Sequence, residues 1–556
     1  MCGIFFFNDA GYNESDFKAL EAAFIAGSGR GPEKSSLDYV AQIDAWIGFH
    51  RLAINGLTPS ADQPLCLKNC KLICNGEIYN HKELAEQLGI ELTTGSDCEI
   101  IIHLYRNFGI EYTLKKLDGV FAFVLIDMTD EKVFVARDPF GVRPLYFGSN
   151  PDSLCIASEL EQVTKALAKY GKDRTIKQFL PGTWVSLEKD KIGLVASPTR
   201  FVWRVPSYSN SYHSVSISDA PRNYVLGDLS RTLVSAVAKR VRNTERPVGC
   251  LLSGGLDSSL IAALVAKESS CQINTYSIGM AGSVDLEHAK LVANHIGSNH
   301  HEFLLTEDEF FETIPKVVER ISSYDTTTVR ASVGNYLLGK LISENHDDIV
   351  IFNGDGADEV MGGYLYIQEA GNALEFDREC RRLIDDIYHF DVLRSDRCIS
   401  THGLESRTPF LDKQFVDTYF SLPCEMRYES NYKLGEKYLL RQAIATSHPD
   451  LLPKEVLWRK KEAFSDGVSS NNRSWFEIIQ DKLDKVISDK EIDTIQLESE
   501  YTHNIPRTKE QLFYRRIFEQ HYSGLSGIIP YFWMPKYVNA KDASARTLEV
   551  YDKKKE

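Results

Sequence analysis

Short apolar runs succeed one another through the first two hundred residues with little helical periodicity between them. Residues 4–7, 45–54, 71–74, 120–127, 132–137 and 154–157 have the length and the aromatic or β-branched content of buried strands. A helical stripe interrupts them where Ile100, Ile101, Leu104, Tyr105 and Phe108 share one face; Asp97 is placed to cap it and Gly109 to end it. Strands in succession with few helices between predict layered sheets flanked by helices, an α+β sandwich.

From residue 248 the period changes. Strand-like runs at 248–252, 273–280, 301–305 and 348–353 are joined by a Gly-Gly turn and by helical stretches at 259–267 and 286–296. That alternation predicts an α/β doubly wound parallel sheet, with its ligand at the carboxyl ends of the strands. Beyond about Tyr364 the pattern is mostly helical. A polar stretch at 206–222, with a proline near each end, reads as a linker. The expected domains are therefore 1–205 and 223–550, followed by a lysine-rich tail at 551–556.

Composition narrows the function. The 556 residues are 43% hydrophobic and 25% charged, and 63 Lys+Arg against 78 Asp+Glu leave a formal charge of −15. A nucleic-acid binder needs a basic footprint, so that class is set aside. No run approaches the roughly twenty apolar residues that span a bilayer, and the N-terminus lacks the pattern of a signal peptide. Eleven cysteines are too sparse for a disulfide framework and suit a reducing compartment. A cytoplasmic protein with no membrane and no nucleic-acid partner is expected. Cys66, Cys70 and Cys74 recur every four residues, but no second ligand pair follows, so they are read as structural.

Two constellations carry chemistry. Once Met1 is removed, Cys2 presents a thiol and a free α-amine whose reference pKa, about 7.7–8.0, lets it take the thiol's proton. Asn75-Gly76-Glu77 follows directly on the strand at 71–74. An amide side chain beside a glycine N–H at a strand end suits an oxyanion hole, although Asn-Gly is also a common turn. Glu77 and Asp97 suit a substrate ammonium and Arg51 its carboxylate, a set fitted to an α-amino acid with a reactive side-chain carbonyl. The second constellation, Ser253 to Ser259 (Ser-Gly-Gly-Leu-Asp-Ser-Ser), lies between a strand and a helix. Glycines let N–H groups approach a phosphate, and the helix N-terminus adds its positive end. No lysine closes the motif, so γ-phosphoryl transfer is not implied. Residues 353–359 (Asn-Gly-Asp-Gly-Ala-Asp-Glu) place a second acidic loop at another strand end, suited to Mg²⁺ beside phosphate oxygens.

Met-Cys-Gly-Ile at the start, Arg30-Gly31-Pro32, His50-Arg51-Leu52-Ala53-Ile54, the run 75–80, Ser96-Asp97 and the run 137–141 resemble, in order, the class II glutamine amidotransferase domain. Residues 253–259 look like the pyrophosphate loop of ATP pyrophosphatases, and Asp257 then gains a role in holding Mg²⁺. The match continues through 324–332, 402–412, Glu436-Lys437, 458–467, 531–536 and 544–548, so that nearly the whole chain resembles the glutamine-hydrolysing asparagine synthetase family of eukaryotic type.

The resemblance implies a four-layer αββα sandwich of the N-terminal-nucleophile type ahead of the parallel-sheet domain. It implies L-glutamine, L-aspartate and ATP as substrates, Mg²⁺ as cofactor, and a possible homodimer. Glutamine would meet Arg51, Leu52, Ala53, Ile54, Asn55, Asn75, Gly76, Glu77 and Asp97. ATP would meet Leu251, Ser253, Gly254, Gly255, Asp257, Ser258, Ile278, Asn353 and Gly354, with Asp257 and Asp358 on the metal. Catalysis would fall to Cys2, Asn75, Gly76, Asp355 and Lys461, the last stabilising charge during adenylation and amide formation. Free ammonia would largely protonate at neutral pH, so an enclosed route between the two sites is expected.

Two departures stand out. Glu33 replaces the aspartate of Arg-Gly-Pro-Asp, and Asn353-Gly354-Asp355-Gly356 replaces the common Ser-Gly-Glu-Gly, which predicts altered constants with activity kept. A ligase acting on another carboxylate and a silent binding paralogue stay open, as alternatives that the products of incubation with glutamine, ATP and candidate acids would separate.

Overall fold

The computed structural model describes residues 1–11, 13–188, 199–200, 222–470, 473–498, 501–540, 542–544 and 547. The expected linker, Arg222 apart, and the expected tail lie outside them. The chain divides into two compact units, and two short segments, Asn243–Pro247 and Ile399–Glu405, belong with the N-terminal one.

The N-terminal unit holds β1 (Gly3–Asp9), β2 (Lys34–Val40), β3 (Ala45–Arg51), β4 (Leu65–Leu67), β5 (Cys70–Ile78), β6 (Gly119–Asp127), β7 (Lys132–Arg137), β8 (Tyr146–Ser149), β9 (Ser153–Ala157), β10 (Thr175–Gln178), β11 (Thr183–Glu188) and β12 (Thr199–Arg200). They form two six-stranded sheets, ordered β10-β8-β9-β1-β3-β2 and β12-β11-β7-β6-β5-β4. Ile4, Phe6, Ile47 and Phe49 of the first sheet share one core with Ile73, Val124, Val133 and Val135 of the second. The far face of the first sheet packs on helices Phe17–Ile25 and Leu160–Ala166, where Phe5 meets Phe24 edge-on with ring centroids 5.9 Å apart. The far face of the second carries Ile100, Ile101, Leu104 and Leu114, from helices Glu99–Phe108 and Ile110–Lys116. This is the αββα sandwich. It explains why every residue of β1 is buried: a strand covered on both faces has no polar side to alternate with.

Three expectations are corrected. The strand beginning at 45 ends at Arg51, because Leu52 and Ala53 give their N–H groups to Cys2 Sγ and Glu33 Oε2 (3.4 and 2.8 Å). The strand beginning at 71 runs on through Asn75-Gly76-Glu77 to Ile78, so these residues sit inside a strand paired with β6 and not at its end. Asp97 does not cap the helix at 99; its carboxylate takes the N–H of Ile78 at 2.6 Å, and Ser96 Oγ accepts from Cys98 N–H at 3.3 Å.

The second unit is built on β13 (Val248–Leu251), β14 (Asn274–Gly279), β15 (Asn299–Leu304), β16 (Val350–Phe352) and, from Ser406 on, β17 (Glu405–Arg407), in the order β15-β14-β13-β16-β17. β13 pairs in parallel with both β14 and β16. The strand order reverses between β13 and β16, so their following loops open a crevice at the carboxyl ends, the usual ligand position in such sheets. Helices account for most of the chain after Ala373, as expected. Among the described residues, no helix is long and apolar enough to cross a membrane.

One buried ion cluster fastens helices of this unit together. Asp412 caps the helix Lys413–Ser421 through the N–H groups of Gln414 and Phe415, and takes Arg240 at 2.7 Å and Lys239 at 2.5 Å, both from the helix Arg222–Arg242. Burial alone would raise its carboxyl; the two cations outweigh that and hold it below the ordinary range. Removing one partner of a buried pair strands the other's charge, so Asp412→Ala is expected to destabilise the unit by about 3–5 kcal/mol. Lys316→Ala, which breaks an exposed pair with Glu319, should cost less than about 1 kcal/mol. Denaturant midpoints of the two variants check this. The sign for pH follows from the depressed carboxyl: this stability is present above about pH 4 and is lost as the pH falls through the lower folded value.

Candidate active sites

In the N-terminal unit, Cys2 precedes β1 and is partly buried. Its backbone carbonyl accepts from Arg30 Nε at 2.9 Å, and Arg30 in turn pairs with Glu159 at 2.7 Å, which fixes the chain at Cys2. Leu52 N–H donates to the sulfur at 3.4 Å. Burial pushes the thiol up. The free amine here is that of Met1, which donates to Leu404 O at 3.1 Å. Its burial lowers it to about 5, chiefly by desolvation, so it is neutral at pH 7.

β4 covers β5 only as far as Leu72, and beyond it the edge of β5 is served by side chains. Cys74 N–H donates to Gln63 Oε1 at 2.6 Å and Ile78 N–H to Asp97. Gly76 lies between these two and, by the alternation of an antiparallel strand, turns its own N–H to the same edge. A Cβ at Gly76 would lie 2.4 Å from Val120 O; glycine is required for the approach of β6. The side chain of Asn75 is 1% exposed, yet neither its oxygen nor its nitrogen has a hydrogen-bond partner among the described residues. An amide so placed costs about 1–3 kcal/mol, and its two polar atoms stay available to a bound carboxamide.

Glu77 and Asp97 are both buried. Glu77 Oε2 accepts from Asn55 Nδ2 at 2.8 Å and from Asn243 Nδ2 at 3.1 Å, and the same Asn243 amide reaches Asp97 Oδ2 at 3.4 Å. Arg51 departs from expectation: its guanidinium is tied to Asp62 and to Gly56 O, so a substrate carboxylate would have to share it. Leu52 and Ile54 are buried behind this segment. The missed residue is Asn243. It lies far along the chain with no motif around it, and only the fold brings it here.

In the second unit, a cleft of about 1080 Å³ including its open mouth lies at the carboxyl ends of β13, β14 and β16. Leu251, Ser253, Asp257, Ser258, Ile278, Asn353, Gly354, Asp355, Asp358 and Lys461 all line it, and Gly255 lines an adjoining pocket with Lys437, Arg441, Arg459 and Lys460. Gly254 is held at φ 71° with a would-be Cβ 2.4 Å from Ala289 N, so no other residue fits. Ser253 and Ser258 hydroxyls bond each other at 2.9 Å, and Ser258 Oγ takes Ser253 N–H at 3.2 Å, which shapes the loop from within.

Asp257 and Asp358 come together here. A Cβ on Gly354 would lie 2.8 Å from Asp257 C and Ser258 N; the two loops touch across a hydrogen atom. Lys437 Nζ lies 2.5 Å from both Asp257 Oδ2 and Asp358 Oδ1, and Lys461 Nζ 2.5 Å from Asp358 Oδ2. Burial would raise Asp358, but the two ammonium groups drive it far below the ordinary range, and Lys461 is raised in return despite its own desolvation. Asp257 Oδ1 is buried with no hydrogen-bond partner among the described residues, a carboxylate oxygen fitted to a cation. Lys437 was legible only as part of a short Glu-Lys match.

The departures have local explanations. Asn353 Oδ1 accepts Asp355 N–H at 3.2 Å while its Nδ2 donates to Ser395 Oγ at 2.7 Å, so the asparagine braces the turn. Asp355 Oδ1 pairs with Arg394 at 2.8 Å. Glu33, one methylene longer than aspartate, reaches Ala53 N–H at 2.8 Å and pairs with Arg246.

The chain matches the asparagine synthase family over residues 228–377 and 368–544 and the glutamine amidotransferase domain over residues 1–193. Asparagine synthetase (glutamine-hydrolyzing) of Gallus gallus is 42% identical over 570 residues, and that of Homo sapiens 40% over 569, each alignment covering 99% of both chains. Among solved structures, glutamine phosphoribosylpyrophosphate amidotransferase from B. subtilis, complexed with ADP and GMP, is similar with a TM-score of 0.30 at 21% identity, over 50% of this chain and 66% of that one. Full-length identity of this order shows that the chain belongs to the asparagine synthetase (glutamine-hydrolyzing) family.

Proposed function

We propose that this chain synthesises L-asparagine from L-aspartate with ATP, taking its nitrogen from L-glutamine. The observation that carries the reading is the pair of carboxylates Asp257 and Asp358, set on touching loops in a cleft beside a basic pocket. Aspartate and ATP give β-aspartyl-AMP and pyrophosphate. Ammonia then attacks the acyl carbon, and asparagine and AMP leave. The N–H and hydroxyl groups of residues 253–258 hold the departing pyrophosphate, with Lys437, Arg459 and Lys460 at its side. Lys461 stabilises the negative charge that develops as the adenylate forms and collapses. Asp257 and Asp358 would hold Mg²⁺, and Asp257 Oδ1 fits it; when bound, the ion neutralises phosphate charge.

At the other site, Cys2 Sγ attacks the glutamine carboxamide. The α-amine exposed by Met1 removal takes the thiol proton and passes it to the leaving ammonia, and water then releases glutamate from the thioester. Asn75 Nδ2 and the edge-facing N–H of Gly76 receive the oxyanion, and Glu77 and Asp97 receive the substrate ammonium. Asp355 is assigned to the acidic wall around the aspartate. We place the enzyme in the cytoplasm, where its eleven free cysteines would stay reduced, and as a homodimer on family grounds.

Three variants test these roles. Cys2→Ala should abolish glutamine-dependent synthesis while added ammonia, at a pH that raises its free-base fraction, still yields asparagine, AMP and pyrophosphate; continued use of glutamine would place the nucleophile elsewhere. Asp358→Asn should abolish pyrophosphate release and leave glutamine hydrolysis intact, whereas normal release would remove the residue from the metal role. Lys461→Met should lower synthesis about 10²-fold or more with either nitrogen source. Loss on Lys460→Met in its place would show that the neighbouring lysine carries the role.

A further inference from the structure

Two buried carboxylates that receive one ammonium must be kept negative and kept in register. A cation between them would cancel the charge; a neutral amide orients them and leaves the charge for the substrate. We infer that Asn243 is the positioning residue of the glutamine site, its side-chain amide setting the spacing of Glu77 and Asp97 at which glutamine's α-ammonium is recognised. This rests on the reading of Cys2 as the glutaminase nucleophile. Each carboxylate has another donor: Asn55 Nδ2 on Glu77 and the N–H of Ile78 on Asp97. The Asn243 amide is the group that bonds to both, at 3.1 and 3.4 Å, and it is 5% exposed.

The segment around it is built onto the pocket wall. Asn55 Nδ2 also donates to Asn243 O at 3.3 Å, Glu245 N–H to Ile54 O at 3.0 Å, Gly56 N–H to Glu245 Oε1 at 2.8 Å, and Arg246 Nε to Ala53 O at 2.7 Å. Arg246 closes the set by pairing with Glu33. Residues Ala53 to Gly56, which carry part of the expected glutamine contact, are thus held from behind by a segment fifty residues beyond the end of the amidotransferase match at 193. Pro247 is followed directly by Val248, the first residue of β13. Glutamine recognition therefore depends on sequence outside the amidotransferase domain.

The test uses the full-length enzyme with Asn243→Leu, which is close in size and has no donor, and Asn243→Ser, which keeps one short hydroxyl. Hydrolysis is measured for L-glutamine and for 5-amino-5-oxopentanoate, the same amide without its α-amino group. Losing a hydrogen bond to two charged groups should raise KM for glutamine about 10-fold or more in the leucine variant, with kcat within about threefold. The kcat/KM for the deamino analogue should stay within about twofold, so that the preference for glutamine collapses; the serine variant should lie between. A residue that only packs would lower both substrates together or neither, and either result overturns the inference. If the leucine variant does not fold, an unchanged preference in the serine variant overturns it equally. The control separates the two levels: Cys2→Ala still hydrolysing glutamine defeats the glutaminase reading, whereas an inactive Cys2→Ala with unchanged preference in the Asn243 variants defeats this inference alone.

Discussion

Like charges facing each other in a cleft repel unless the opposite sign stands between them, and the second unit is arranged around that constraint. Asp257 rides on the first turn of the helix after the Ser-Gly-Gly loop, and Asp358 on the first turn of the helix Ala357–Met361 that follows the neighbouring strand and its loop. Gly354 lets the loops touch. Gly363 leaves room for Lys437, since a Cβ there would lie 2.1 Å from both Lys437 Cε and Asp358 Oδ1. Lys437 itself is held at φ 55°, a conformation costing on the order of 1 kcal/mol or more for a non-glycine residue. Three separate local constraints thus serve a single cluster of four charges.

The N-terminal unit handles paired carboxylates in the opposite way. Glu77 and Asp97 are held by asparagine amides and a backbone N–H, all neutral. The difference matches the ligands proposed for the two sites. An ammonium substrate needs negative charge left uncancelled, and neutral donors fix geometry without competing for it. A polyphosphate would bring its own negative charge; Lys437 and Lys461 would stand beside it, and Asp257 and Asp358 would hold a divalent cation that offsets that charge. Asn75 follows the first logic further. Its amide is buried and unpaired, a standing cost that a bound carbonyl oxygen would relieve.

The buried groups also divide by purpose. Asp412 with Arg240 and Lys239, and Arg330 with Glu510 and Asp542, form buried ion pairs that join distant parts of the second unit. Around the cleft the pairing is incomplete: Asp257 Oδ1 and Asp355 Oδ2 have no hydrogen-bond partner among the described residues. Burial holds Glu359, beside them, well above the ordinary carboxylate range and raises Asp391 as well.

Much of this was written in the chain itself. The change of hydrophobic period near residue 248 separated the sandwich from the parallel sheet, because pleat and helix impose different repeats on buried side chains. Gly254, Gly354 and the serines of the Ser-Gly-Gly loop were legible because close backbone approach permits so few residue types. What sequence could not express was distance. Asn75-Gly76 reads as a strand end or a turn, and only the pairing of β5 with β6 shows that it lies inside the strand. Asp97 looks like a helix cap until the N–H of Ile78 competes for it. Arg51 looks free to bind a substrate until Asp62 claims it, and Asn243 carries no local signal at all. Local patterns record what each residue needs from its neighbours in the chain; which distant group meets that need is decided by packing, and so appears only in the folded molecule.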